Sequence, residues 1–279
     1  MALTHFSCAA FDLDGTLLDG HSQLSPRTKV ALDDLHRAGV QVIVCSGRPF
    51  STIPKDILAH PAVRFVATGN GVRIFDKALG KDVYCCALAQ QTLEDIVELV
   101  QYYPVGYEFF IQGKAFANRA YLADPALYGA DLMSNRYLTT TRAPFDDVRS
   151  FITAHRNTID SMGLSLADMV LKKQLWQRLE HEIEGIYVTS SVPRLLEVAD
   201  ARAGKGPAVA AILERLDLDA TGLVAFGDAD NDLGMIELAG MGVCMENGEA
   251  HLKAAADFIA PRHDQDGVAI VLEKLLKEF

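Results

Sequence analysis

The densest chemical signal in the chain is Asp12-Leu13-Asp14-Gly15-Thr16. It follows an apolar run, Phe6 to Phe11. If that run is a strand, alternation sends Asp12 and Asp14 to one side and Leu13 back toward a core. Two carboxylates at one strand tip repel each other unless a cation lies near. Such a pair suits a hard metal ion and nucleophile, acid or base chemistry. The plainer alternative is an Asp-Gly turn, since both residues favour turns.

Three more polar clusters follow apolar runs. Ser46-Gly47-Arg48 comes after Val40 to Cys45, and its hydroxyl and glycine-flanked N–H groups resemble an anion cradle. Lys205-Gly206 follows Ala203-Gly204 at a helix start. Gly227-Asp228-Ala229-Asp230-Asn231-Asp232 follows Leu223 to Phe226. Taken singly, Arg48 reads as a salt-bridge partner, Lys205 as a surface lysine, and Asp230 and Asp232 as helix-capping acids. Taken together, four or five acids at one edge require a divalent cation. All the candidate ligands are oxygens, which favours magnesium (Mg2+) over zinc. Metal, acids, a hydroxyl and a lysine suit phosphoryl transfer. One Asp could attack phosphorus while the other protonates the leaving oxygen and then activates water.

The elements that must position these groups alternate. Ser25-Pro26 caps a predicted helix over 27–38, which Gly39 stops. Strands are expected at 40–45 and 65–67, and Asn70-Gly71 reads as a hairpin turn leading into 72–75. After residue 190, helices at 206–216, 233–239, 249–256 and 268–276 alternate with strands at 223–226, 242–245 and 258–259. Such alternation implies a doubly wound parallel sheet, whose active site lies beyond the C-terminal strand ends. All the clusters fall at such ends or at a helix start. Residues 83–190 break the pattern and read as an inserted α+β unit. Within it, a helix is expected at 93–100 with Thr92 as cap, an aromatic strand at 102–116, and a helix at 165–182 before a strand at 185–188. Tyr102, Tyr103, Tyr107, Phe109 and Phe110 read as core or as pocket lining.

Composition narrows the class. The chain has 279 residues, 49% hydrophobic and 23% charged, as in globular proteins. A net charge of −11 argues against a nucleic-acid partner. No membrane partner is expected, since no apolar stretch is long enough to span a bilayer; with no leader-like start, the chain reads as cytoplasmic. Five scattered cysteines fit no zinc pattern and suit a reducing compartment; Cys85-Cys86 reads as one outward and one inward thiol. The eight histidines lack ligand spacing and are expected to have no metal role.

In combination these motifs resemble the haloacid dehalogenase (HAD) superfamily, Cof-type, over roughly residues 1–82 and 191–279. Met245-Glu246-Asn247-Gly248 and Asp266-Gly267-Val268-Ala269 add to the likeness, with Glu246 where the family pattern has glycine. The resemblance implies a Rossmann-like HAD core with the 83–190 insertion as an α+β cap. It implies Asp12 as nucleophile, Asp14 as general acid/base, and Lys205 steadying phosphate and nucleophile. Ser46, Gly47, Arg48 and Asn231 would contact phosphate or substrate. Asp12, the Asp14 carbonyl, Asp228 and Asp232 would hold Mg2+. The implied activity is hydrolysis of a small phosphorylated metabolite, a sugar phosphate or phosphorylated cofactor. A phosphosugar mutase and a non-catalytic metabolite sensor on the same fold stay open. Oligomeric state is not legible.

Overall fold

The computed structural model describes residues 5–278. It divides into two compact units, residues 5–48, 53–84 and 204–278 in one, and 49–52 and 85–203 in the other. The second overlaps the expected insertion at 83–190 and also takes in 191–203, because Leu195–Asp200 is a strand of its sheet.

The first unit is built on an eight-stranded sheet. Its order is Phe258–Ala260, Met241–Met245, Leu223–Gly227, Cys8–Phe11, Gln41–Cys45, Val63–Thr68, Arg73–Asp76 and Lys81–Cys85. The first six strands are parallel, and Arg73–Asp76 turns back antiparallel on Val63–Thr68. Parallel strands buried on both faces need apolar residues at nearly every position. Cys8-Ala9-Ala10-Phe11 and Val42-Ile43-Val44-Cys45 are all fully buried. Cys8, Ala10, Ile43 and Ala225 pack on Val209, Ile212, Met235 and Ile236 of helices Lys205–Leu216 and Leu233–Leu238. On the opposite side of the strands Phe11 stacks on Phe226 at 5.0 Å. Helix Pro26–Arg37 starts as its sequence dictates. Ser25 accepts from the Thr28 N–H, Pro26 sits at the first turn, and Arg27 forks onto Glu273 of helix Gly267–Glu278 with two 2.7 Å bonds.

The second unit has a six-stranded sheet in the order Ile186–Thr189, Leu195–Asp200, Ser161–Ser165, Gly106–Ile111, Lys114–Asn118 and Ala143–Phe145. All neighbours are antiparallel except the last pair. Helices Gln90–Val100, Val148–Ala154 and Met169–Glu182 cover one face, burying Ile96, Ile152 and Leu175 against Phe109, Met162, Leu164 and Val198. The other face aligns Glu108, Gly163 and Glu197 across three strands.

Several boundaries differ from the sequence reading. The aromatic stretch 102–116 is a hairpin, turned at Gln112-Gly113 with both at positive φ. Tyr107, Phe109 and Phe110 are buried on its first strand, while Tyr102 is 87% exposed before it. The segment 165–182 is the end of one strand followed by a helix from Met169, because Asp168 caps the Val170 and Leu171 N–H groups. Thr92 lies inside its helix, whose cap residue is Ala89. Cys85 is exposed, and Cys86 is buried like Cys8, Cys45 and Cys244. Among the described residues no helix is long and apolar enough to cross a membrane.

Candidate active site

Asp12 is fastened to the neighbouring strand by its N–H, which donates to the Phe226 carbonyl at 3.0 Å. The strand ends there. The Leu17 and Leu18 N–H groups reach back five residues to the Asp12 and Leu13 carbonyls (3.2 and 2.9 Å), and Gly15 sits at φ +81°. A Cβ at position 15 would lie 2.4 Å from an Asp228 oxygen, so both the turn and the close approach require glycine. This corrects the picture of two carboxylates on one extended strand face. Leu13 is buried as expected, but the turn separates the acids: Asp12 is buried, while Asp14 has a half-exposed side chain.

Asp12 meets a lysine. Lys205, 1% exposed, donates to Asp12 Oδ1 at 2.5 Å and to Asp232 Oδ1 at 2.6 Å. It opens its helix after Gly204, whose φ of +128° only glycine adopts readily. The other oxygen of Asp232 accepts from the N–H groups of Asp228 and Ala229, at 2.8 and 3.0 Å. Asp232 therefore fixes both the lysine and the loop carrying Asp228. Thr16 donates to Asp228 Oδ1 at 3.1 Å, and Asn247 donates to the Gly15 carbonyl at 2.8 Å. The Asn247 oxygen accepts from the His263 N–H, so the segment after Glu246 still braces the acidic turn.

Asp14 is held by Arg48, whose Nε and Nη2 each donate to it at 2.6 Å. Arg48 Nη2 also reaches Ser22 Oγ at 3.2 Å. Ser46, 1% exposed, closes the end of its strand by donating its N–H to the Ala67 carbonyl, and its Oγ accepts from the Arg48 N–H at 3.1 Å. Gly47 lies between them on that loop. Asn231 is 4% exposed and donates to Asn70 Oδ1 at 2.9 Å. Each sequence-predicted site residue thus lies in the first unit, at the C-terminal end of a parallel strand or at the start of the Lys205 helix. Thr16, Asn70 and Asn247 add contacts that sequence reasoning did not assign. The visible signals were the threonine that ends the acidic motif and an asparagine where a turn alone was expected.

The electrostatics show a deficit of positive charge. Burial alone would lower Lys205, but Asp12 and Asp232 outweigh it and lift it above the ordinary lysine value, so it remains an ammonium. Burial raises Asp12, Lys205 opposes, and Asp232, Asp228 and Asp14 push it up again, with a net upward shift. Burial and Asp232 push Asp228 up to about 6. One lysine does not balance three acids. Oxygens of Asp12, Asp228 and Asp232 lie within 4.8 Å of one another, a donor set that fits a hard divalent cation.

A Rossmann-like sheet with a buried acid–lysine pair after its first strand, and with a second inserted sheet, defines a class of phosphoryl-transfer hydrolase. The comparisons place the chain within it. The model of the haloacid dehalogenase-like hydrolases matches residues 9–272, and the chain belongs to that family. The 5-amino-6-(5-phospho-D-ribitylamino)uracil phosphatase YwtE of Bacillus subtilis is 27% identical over 96% of this chain and 98% of its own. The HMP-PP phosphatase of Yersinia pseudotuberculosis is 30% identical over 97% and 96%. The fold matches the HAD subclass IIB sugar phosphatase BT4131 with a TM-score of 0.80 at 17% identity, covering 96% of this chain and 98% of that one. The protein is thus a HAD-type phosphatase of the Cof type, with a second, inserted sheet as in the fold of that subclass IIB structure.

Proposed function

We propose that the protein is a magnesium-dependent phosphomonoesterase that works through an aspartyl phosphate on a small phosphorylated metabolite. The observation that carries this is Asp12, a buried carboxylate held at 2.5 Å by a buried lysine beside Asp228. Lys205 fixes one Asp12 oxygen and leaves the other to attack phosphorus. The ester oxygen departs with a proton from Asp14, which then takes a proton from the water that discharges the acyl phosphate. Ser46, the Gly47 loop and Asn231 bind the transferring phosphoryl group, and Arg48 orients Asp14. Asp12, Asp228 and the Asp14 carbonyl would hold Mg2+, which supplies charge neutralisation of the phosphoryl oxygens. The three bonds made by Asp232 make it the residue that holds Lys205 and the Asp228 loop, close enough to help with the ion.

The relatives named above are phosphatases of 5-amino-6-(5-phospho-D-ribitylamino)uracil and of HMP-PP, and the fold neighbour is a sugar phosphatase. Both support a substrate drawn from phosphorylated sugars or cofactor intermediates. The complete set of acids, lysine and serine favours turnover over mere sensing. The test is phosphate release across a panel of such metabolites, with and without Mg2+. Release should require Mg2+ and vanish in Asp12→Asn. Turnover by that variant at the wild-type rate would refute the nucleophile assignment. Conversion of a sugar phosphate to its isomer without free phosphate would point to a mutase.

A further inference from the structure

Asn70 belongs to none of the acid, lysine or serine motifs. It sits in the turn Gly69-Asn70-Gly71 between the antiparallel strands Val63–Thr68 and Arg73–Asp76. A hairpin turn explains its left-handed backbone, φ +56°, since Asn tolerates that conformation better than most residues. It does not explain its burial. Turn asparagines usually face water, yet Asn70 is 3% exposed.

Its bonds account for that. The Asn70 N–H donates to the Ser46 carbonyl at 3.0 Å. Its own carbonyl accepts from the Gly204 N–H at 2.8 Å, one residue before Lys205. Its side-chain oxygen accepts from Asn231 Nδ2 at 2.9 Å. The next residue tightens the arrangement, for a Cβ on Gly71 would lie 2.3 Å from the Gly204 carbonyl oxygen. One turn residue therefore joins the serine loop, the lysine helix and the Asn231 loop, segments that are far apart in sequence.

Asn231 supplies the second observation. It is 4% exposed, and among the described residues its Oδ1 has no hydrogen-bond partner. An acceptor buried without a donor is costly and is a mark of a site completed by a ligand. With one Nδ2 hydrogen given to Asn70, the amide keeps its other N–H and its oxygen for that ligand. Inorganic phosphate at neutral pH offers both an acceptor oxygen and an O–H donor.

We infer that Asn70 is a positioning residue for phosphate binding: its side chain fixes the amide of Asn231, and its backbone ties the Ser46 loop to the start of the Lys205 helix. This rests on the phosphate-ester reading of the site. Asn70→Gly isolates the side chain, because glycine takes φ +56° without strain and keeps both backbone bonds. A neutral hydrogen bond sets the scale of the effect, about three- to tenfold in an equilibrium constant. Asn70→Gly should raise KM for an ester and the inhibition constant for inorganic phosphate by about that factor. The fall in kcat should be smaller, and the thermal midpoint should stay within a few degrees. Asn231→Ala should show the same pattern more strongly, because Asn231 itself meets the phosphate, and adding Asn70→Gly to it should cost little more, since the Asn70 side chain acts through Asn231.

Unchanged KM and phosphate inhibition in Asn70→Gly would overturn the inference. So would multiplicative losses in the double variant, or a large fall in the midpoint, which would make Asn70 structural only. A wild-type protein that binds no inorganic phosphate and hydrolyses no ester would instead overturn the reading beneath it, and the inference with it.

Discussion

In the first unit the buried ammonium of Lys205 serves Asp12 and Asp232, with Asp228 close by. In the second, the guanidinium of Arg142 serves Glu108 at 2.8 Å, donates to Thr141 Oγ1 at 2.9 Å, and lies over the Tyr137 ring at 4.7 Å. Glu108 and Arg142 are 1% and 6% exposed in their side chains, as deeply sunk as the Lys205 cluster. Burial is therefore not what separates the two. Charge balance is. One cation to one carboxylate, with a hydroxyl and an aromatic ring against the rest of the guanidinium, is a balanced arrangement that needs no further cation. One cation to three carboxylates is held together by the fold against repulsion, and a cation from solution relieves it. A buried charged cluster reads as a binding site when its charges fail to cancel, and as scaffolding when they do.

The largest effect tests the overloaded cluster. Asp12→Asn should lower turnover of any good substrate at least about a thousandfold, as loss of a nucleophile does. Because it also removes one of three clustered negative charges, its metal-free thermal midpoint should hold or rise. A midpoint many degrees lower would mean that Asp12 is to Lys205 what Glu108 is to Arg142, and the comparison would collapse.

The balanced pair should behave in the opposite way. Arg142→Met leaves Glu108 buried without its partner and should cost about 3–5 kcal/mol, read from urea or thermal unfolding. Replacing both, Arg142→Met with Glu108→Leu, should recover most of that loss, since a matched apolar pair of similar volume is often neutral. If the double variant is as unstable as the single one, Glu108 is not the group whose charge Arg142 balances.

A third contrast lies within the candidate active site, between Asp12 and Asp14. Asp14→Asn should cost about a hundredfold on an alkyl phosphate, whose leaving oxygen needs a proton. Read in kcat/KM, which reports formation of the acyl phosphate and not its discharge by water, the cost should be far less on p-nitrophenyl phosphate, whose leaving group departs as a stable anion. Arg48→Ala should follow the same selectivity at about tenfold, the scale of one bidentate pair at a partly exposed site. Equal losses on both esters would move Arg48 from holding Asp14 to binding the phosphoryl group.

Much of the first unit was legible because its physics is local. A parallel strand such as Gln41–Cys45 is apolar from Val42 onward, and the chain must become polar where it leaves the sheet. Ser46, Asp228 and Asp12 therefore announce themselves, and the topology brings them together. The Asp12–Asp14 geometry was not legible, because the turn at Gly15 is set by how closely Asp228 approaches it across more than two hundred residues. The same holds for Asn70, whose bonds to Ser46, Gly204 and Asn231 are all tertiary. In the second unit the aromatic run 102–116 gave the strand type and missed the hairpin. The turn there uses Gln112, a residue with no strong turn signal, at φ +49° beside Gly113. Glu108 carries no motif, and its pairing with Arg142 spans 34 positions, so nothing in the sequence marks it as buried.

The smallest effect is the one that reads charge imbalance directly. Asp228 has a folded pKa of about 6, raised from an ordinary carboxylate value by burial and by Asp232. A raised acid stabilises the fold below its unfolded pKa, near 4, and that contribution is lost as pH rises through about 6. The metal-free protein should therefore lose stability from this group between about pH 4 and 7, as the site fills with negative charge. If the site takes Mg2+ as proposed, the ion meets the ionised carboxylates, and its stabilising effect must grow over the same interval. Thermal midpoints with and without Mg2+ should nearly coincide at pH 5 and separate by several degrees at pH 7.5. Asp228→Asn should flatten that dependence, and Arg142→Met should leave it intact, because the Glu108–Arg142 pair lies in the other unit and holds no surplus charge for a cation to relieve. A Mg2+ shift of constant size from pH 5 to 7.5 would mean that the cation meets groups already ionised at pH 5. Asp228 would then not be the ligand that the surplus of charge identifies.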